Sequence, residues 1–154
     1  RLTQLAAPPM RKMSFNKGFQ LCLAWGCMLV GICIYLLFRS RSHLGFLLLD
    51  AIGLTNMVDA LREMATGISP SDFVKNCLPD GMWSISYILM SDYYNKDVRW
   101  SYRLALASVI PLIGSASELM QWGGLLPGFF DWRDLACYTL PLVFYYLFAN
   151  RHNK

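Results

Sequence analysis

"FQLCLAWGCMLVGICIYLLF", Phe19 to Phe38, is a run of 20 residues without a single charge. At a helical rise of about 1.5 Å per residue it reaches across the roughly 30 Å hydrocarbon core of a bilayer. A secretory signal has a shorter apolar region of about 7–15 residues and a small-residue cleavage site, and neither is present. "GIC" at Gly31–Cys33 is not a lipobox, because Ile32 stands where a small residue is needed. The segment reads as a retained transmembrane helix.

Composition agrees with that reading. The 154-residue chain is 55% hydrophobic and 16% charged, with a mean hydropathy of +0.34. Soluble domains average about 45–50% apolar and about 25% charged. The length suits one domain, residues 19–150, with tails at 1–18 and 151–154. The formal net charge is +4, but the charges fall between apolar runs and form no patch of the kind that grips nucleic acid. Four of the five cysteines (Cys22, Cys27, Cys33 and Cys137, but not Cys77) lie inside apolar segments and read as packing residues. There is no CxxC, and His43 and His152 are the only histidines. The opening "RLTQLAAPPMRKM" is given no structure.

Three further spans follow the first. They are 80–95, in "LPDGMWSISYILMSDYY"; 103–122, "RLALASVIPLIGSASELMQW"; and 132–150, "WRDLACYTLPLVFYYLFAN". Asp80 opens the second, where a carboxylate can cap free N–H groups and meet the positive end of the helix dipole. Between the first and second spans, residues 39–79 read as an extracytoplasmic helical segment. Leu47, Ala51, Leu54, Val58 and Leu61 recur at helical spacing, with Asp59, Arg62 and Glu63 mostly off that stripe. This predicts one amphipathic helix lying on the membrane or capping the bundle, stopped by Gly67 and restarted at Ser69 and Pro70. Trp83, Trp100, Trp122, Trp132, Tyr93 and Tyr94 read as interfacial anchors, and Asp92 as a solvated boundary residue. The expected fold is all-α: a polytopic membrane protein of about four transmembrane helices plus an interfacial helical segment.

With four spans both termini share one side. That side collects Arg1, Arg11, Lys12, Lys17, Lys96, Arg99, Arg103, Arg151 and Lys154, against Arg39, Arg41, Arg62, Lys75 and Arg133 on the other. The positive-inside rule then places both termini in the cytoplasm, although the Arg39/Arg41 pair argues the other way. The second span begins, the third ends and the fourth begins on the outer face. Asp80, Glu118, Gln121, Asp131 and Asp134 therefore come to one depth. Glu118 and Gln121 are i,i+3 neighbours, with Ser115 and Pro111 continuing the face inward. Asp131 and Asp134 repeat the i,i+3 relation, with Arg133 between them. Ionisable side chains at membrane depth point to a site. The competing reading makes Asp131 and Asp134 mere caps and pairs Glu118 with Arg133.

Glu118-Leu-Met-Gln121, the turn "GGLLPG", Phe130-Asp131-Trp132-Arg133-Asp134 and then Thr139-Leu140 together resemble the VanZ-like family of small bacterial membrane proteins. The resemblance covers about residues 79–150 in layout. Tyr138 stands where the family usually has Asn, and Asp80-Gly81-Met82-Trp83-Ser84 keeps only the Asp of an Asp-Lys-x-x-His pattern, so this looks like a divergent relative. The resemblance implies a bacterial cytoplasmic-membrane protein with a cell-envelope role, associated with lowered sensitivity to the glycopeptide antibiotic teicoplanin. It names no reaction.

Three functions compete. The first is an envelope factor binding lipid, a lipid-linked precursor or a partner through an outer-leaflet polar pocket of Asp80, Ser115, Glu118, Gln121, Asp131, Arg133 and Asp134. The second is a membrane enzyme in which Glu118, Asp131 and Asp134 hold a divalent cation or act as acid and base on a head group. No Ser/His or Cys/His pair accompanies them, which disfavours nucleophilic catalysis. The third is a transporter or pore subunit, which four short helices would form only as a homo-oligomer.

Overall fold

The computed structural model describes residues 17–41 and 44–151. The expected tails at 1–18 and 151–154 lie almost wholly outside the described residues, as do both histidines. Among the described residues the chain is all-helical, with six α-helices and no strand. They are α1 (Lys17–Phe38), α2 (Leu44–Ala51), α3 (Thr55–Met64), α4 (Leu78–Tyr94), α5 (Trp100–Trp122) and α6 (Trp132–Arg151); a π-helical turn, Phe73–Cys77, leads into α4.

The four long helices match the four apolar runs to within a few residues at each end, because charges that fall at or near the ends of each run set a helix length directly. Two of them, α1 and α5, are long and apolar enough to cross a membrane. Neither is a core helix of the molecule. α1 buries only Ala24 and Gly31, and it leaves Phe19, Trp25, Leu29 and Val30 exposed. α5 exposes Leu112, Ile113 and Leu119, and α6 exposes Phe144, Leu147 and Phe148 in the same way.

The centre of the bundle is α4, which packs on α1, α5 and α6. Its buried residues are Pro79, Gly81, Ser84, Ser86 and Ile88. Small side chains let helix backbones approach closely, and that is what replaces a large apolar core here. Glycines make room for rings in the same way: a Cβ on Gly114 of α5 would stand 2.4–2.7 Å from the Tyr138 ring of α6. Side-chain pairs fix the directions. Tyr87 on α4 donates to Leu106 O on α5 at 3.0 Å. Ser84 donates to Tyr138 O on α6 at 3.3 Å. Gln20 on α1 reaches Leu89 O at 3.0 Å. So α4 and α6 run one way, and α1 and α5 run the other.

Residues 39–79 depart from the expected single surface helix. The chain breaks at Ile52–Leu54, where Gly53 takes φ +76°, a left-handed value open to glycine. The apolar stripe crosses that break, which is why periodicity alone missed it. α3 also ends at Met64, ahead of Gly67, and the next helix begins at Asp72 rather than at Ser69 or Pro70. Arg62, expected on the polar face, grips the end of α1 instead. Its Nε donates to Leu36 O at 2.7 Å, its Nη2 donates to Arg39 O, and its guanidinium lies 4.8 Å from the centre of the Phe46 ring. A helix C-terminus leaves carbonyls without amide partners, and a guanidinium satisfies them well. Burial first, then the neighbouring Arg41, lowers the pKa of Arg62 from its ordinary value. An ion pair from Arg41 to Asp59 completes the clamp.

At the opposite end of the bundle Asp92 is a hub rather than a solvated boundary residue. It accepts from Gln20 Nε2 (3.0 Å), from Tyr145 Oη (2.6 Å) and from Arg103. Its side chain is 19% exposed and that of Arg103 is 22% exposed, so one carboxylate ties α1, α5 and α6 to α4 away from bulk water. Trp122, Trp132 and Tyr94 are exposed as interfacial anchors would be. Trp83 is not one of them: its ring lies against Gly31 and meets Tyr35 at 5.4 Å, tilted by 45°.

Candidate functional site

The antiparallel arrangement brings the end of α1, the start of α4, the end of α5 and the start of α6 to one end of the bundle. Glu118 is the most enclosed of the acids there, at 7% exposure. One of its oxygens accepts the Asp131 amide at 3.3 Å, which staples the end of α5 to the entry of α6. Asp131 stands just ahead of α6, and its Oδ1 accepts the Arg133 amide at 2.8 Å. That is N-cap geometry, and a carboxylate capping with one oxygen keeps the other for a ligand. Asp134, one turn into α6, shares a hydrogen bond with the Cys77 thiol. Its Oδ1 is buried with no hydrogen-bond partner.

Asp80 does not cap a helix start. The helical path is continuous from Asp72 through the π-turn, where the Leu78 amide bonds to Phe73 O, so the amides ahead of Asp80 already have partners. Pro79 has no N–H to offer, and the ladder changes register just before it. The Asp80 carboxylate instead hydrogen-bonds the Tyr138 side chain. Asp80 and Glu118 each feel Asp134 and the positive charge of Arg39. The four carboxylates of Asp80, Glu118, Asp131 and Asp134 thus share one electrostatic neighbourhood with one guanidinium.

The remaining candidates sit around this group. Gln121 folds back over the turn, its side chain occupying the space beside Gly128. Ser115 is buried, but its hydroxyl is spent on Pro111 O of its own helix at 2.8 Å. Arg133 is exposed and forms no ion pair among the described residues; its guanidinium lies 5.8 Å from the Trp132 ring centre. The pairing of Glu118 with Arg133 is therefore not made.

Three members of the group were not singled out from the sequence: Arg39, Cys77 and Tyr138. Tyr138 falls four residues after Asp134 and Cys77 three before Asp80, so each shares a helical face with an acid. Cys77 is 1% exposed. Burial, and after it the hydrogen bond and charge of Asp134, pushes its thiol well above the ordinary thiol range. The sulfur and one oxygen from each of Asp131 and Asp134 lie within 4.8 Å of one another, a close set that does not include Glu118. The chain matches no family model, no curated protein and no solved structure. An open groove of about 300 Å³ between α5 and α6, lined by Leu104, Ser108, Leu142, Val143 and Tyr146, is apolar and lies away from the acids.

Proposed function

We propose that this chain is a divergent VanZ-like protein of the bacterial cytoplasmic membrane. In this reading α1, α4, α5 and α6 all span the bilayer, both termini are cytoplasmic, and α2 and α3 lie at the outer surface. The acidic end of the bundle then faces the outer leaflet and binds the head group of a lipid or lipid-linked envelope precursor, the role that the glycopeptide (teicoplanin) resemblance suggests. Four carboxylates opposed by one close guanidinium select a head group that carries an ammonium. What carries the reading is the meeting of Asp80, Glu118, Asp131 and Asp134, from α4, α5 and the entry to α6, at one end of the bundle. Large apolar side chains on the outer faces of α1, α5 and α6 support the membrane setting, since a soluble monomer rarely exposes so much apolar surface.

The test compares Glu118→Gln with Gln121→Leu for binding of amine-bearing and amine-free phospholipids in nanodiscs, and for teicoplanin susceptibility of expressing cells. Binding that prefers the amine-bearing lipid, survives Glu118→Gln in part and is lost in Gln121→Leu supports a binding factor. No lipid preference in the unaltered chain overturns it. Loss of function in Glu118→Gln with lipid binding intact favours the second reading, a membrane enzyme using these carboxylates as acid and base. That alternative draws on the buried, unpartnered oxygen of Asp134, a group held ready for a ligand or a proton.

A further inference from the structure

The geometry points to a divalent transition-metal site formed by Cys77, Asp131 and Asp134, fitted to zinc rather than to magnesium or calcium. It rests on reading this end of the bundle as a binding pocket, and it names a ligand there that the acids alone do not specify. The three donor atoms come from two separate chain segments, the π-turn ahead of α4 and the entry to α6, and all lie within 4.8 Å of one another. Around a tetrahedral zinc ion, bonds of about 2.0–2.3 Å set ligand atoms about 3.3–3.8 Å apart. Side-chain adjustments of the order of an ångström close the set.

A second observation is independent of that proximity. Asp134 Oδ1 is shut off from solvent and accepts no hydrogen bond. A buried carboxylate oxygen left without a donor is costly, and a cation removes that cost. The thiol decides which cation. Cys77 is almost fully enclosed, and a free thiol carries a proton that ligation removes. A metal must displace that proton, and thiolate favours zinc and its neighbours over hard cations, which take oxygen ligands only. Binding therefore releases one proton, from the sulfur to solvent, and joins sulfur to metal. Three protein ligands leave the fourth position open, the arrangement that lets zinc take a water or a substrate oxygen. Glu118, which is bonded to the Asp131 amide, orients one ligand from behind.

The full chain, purified in detergent with a chelator and then dialysed, is titrated with zinc and separately with cobalt(II). The expected results are one zinc per chain, no displacement by millimolar magnesium, and a thiolate-to-cobalt charge-transfer band in the near ultraviolet. Cys77→Ser and Asp134→Asn each weaken zinc by more than about tenfold, at least the loss caused by removing a group that only supports a ligand. Cys22→Ser, on the exposed face of α1, leaves binding unchanged. Zinc bound equally well by Cys77→Ser and Asp134→Asn overturns the inference. Should either variant fail to fold, the cobalt spectrum of the unaltered chain decides, and the absence of the thiolate band overturns it as well. Lipid binding measured beside the chelator separates the two proposals. Lipid preference without zinc binding removes the metal alone, and loss of both removes the pocket.

Discussion

Replacing Gly114 by alanine should destabilise the bundle and pull Tyr138 away from Asp80. The new Cβ would stand 2.4, 2.5 and 2.7 Å from three ring carbons of Tyr138, well inside contact distance. The ring cannot yield freely, because its hydroxyl is held by Asp80. Overpacking of this kind costs about 1–3 kcal/mol. Losing a hydrogen bond to a carboxylate adds about 1.5 kcal/mol or more. Alanine returns about 1 kcal/mol through helix propensity. The net expectation is a loss of about 1.5–3.5 kcal/mol, read from reversible unfolding by sodium dodecyl sulfate in mixed micelles with circular dichroism as the signal. The same substitution in a Tyr138→Ala background meets no ring, so only the propensity gain remains and its sign reverses. Gly114→Ala that is neutral in the unaltered chain, or equally harmful in both backgrounds, would refute the close approach of α5 and α6 as the cause.

Asp92→Asn should cost about 2–4 kcal/mol in the same titration, somewhat below a fully buried broken pair, because it strands the half-buried Arg103. Asp92→Asn combined with Arg103→Gln should cost less than the two separately, and strict additivity would contradict the hub. Arg62→Ala should release α3 from the end of α1, seen as lost hydrogen-exchange protection over 55–64 with α5 unchanged; protection that persists counts against the clamp. Cys77 should resist iodoacetamide at pH 8 in the folded protein, because burial and Asp134 raise its pKa and so lower the thiolate fraction. Removing the charge in Asp134→Asn should speed the reaction; alkylation of the unaltered chain at the rate of an open thiol would be the contrary result.

Helix positions were legible because the apolar runs are uncharged over their interiors and their charges stand at or near the ends. Residues 19–38 and 103–122 need nothing but length and hydropathy to be found. The convergence of Asp80, Glu118, Asp131 and Asp134 was legible for a related reason: antiparallel helices joined by short turns must bring alternate ends together. The break at Gly53 was hidden because Leu47, Ala51, Leu54, Val58 and Leu61 keep their spacing across it. Asp92 sits beside a predicted boundary, where only packing reveals whether water or three side chains surround it. Arg39 was weighed as a topological charge, though its position at the end of α1 already placed it beside the acids. Cys77 closes a π-turn whose register no helical wheel describes, and its meeting with Asp134 is a contact between distant segments.

The candidate site exists only if the entry to α4 and the entry to α6 meet at one end of the bundle. The direct measurement is a disulfide between native Cys77 and Asp134→Cys, in a chain whose other four cysteines are serine, assayed by mass spectrometry after mild copper-catalysed oxidation in membranes. The donor atoms of the two residues lie within 4.8 Å, so a crosslink should form within single chains and protect both thiols from alkylation. Two thiols that remain reduced and alkylate fully and independently would contradict it.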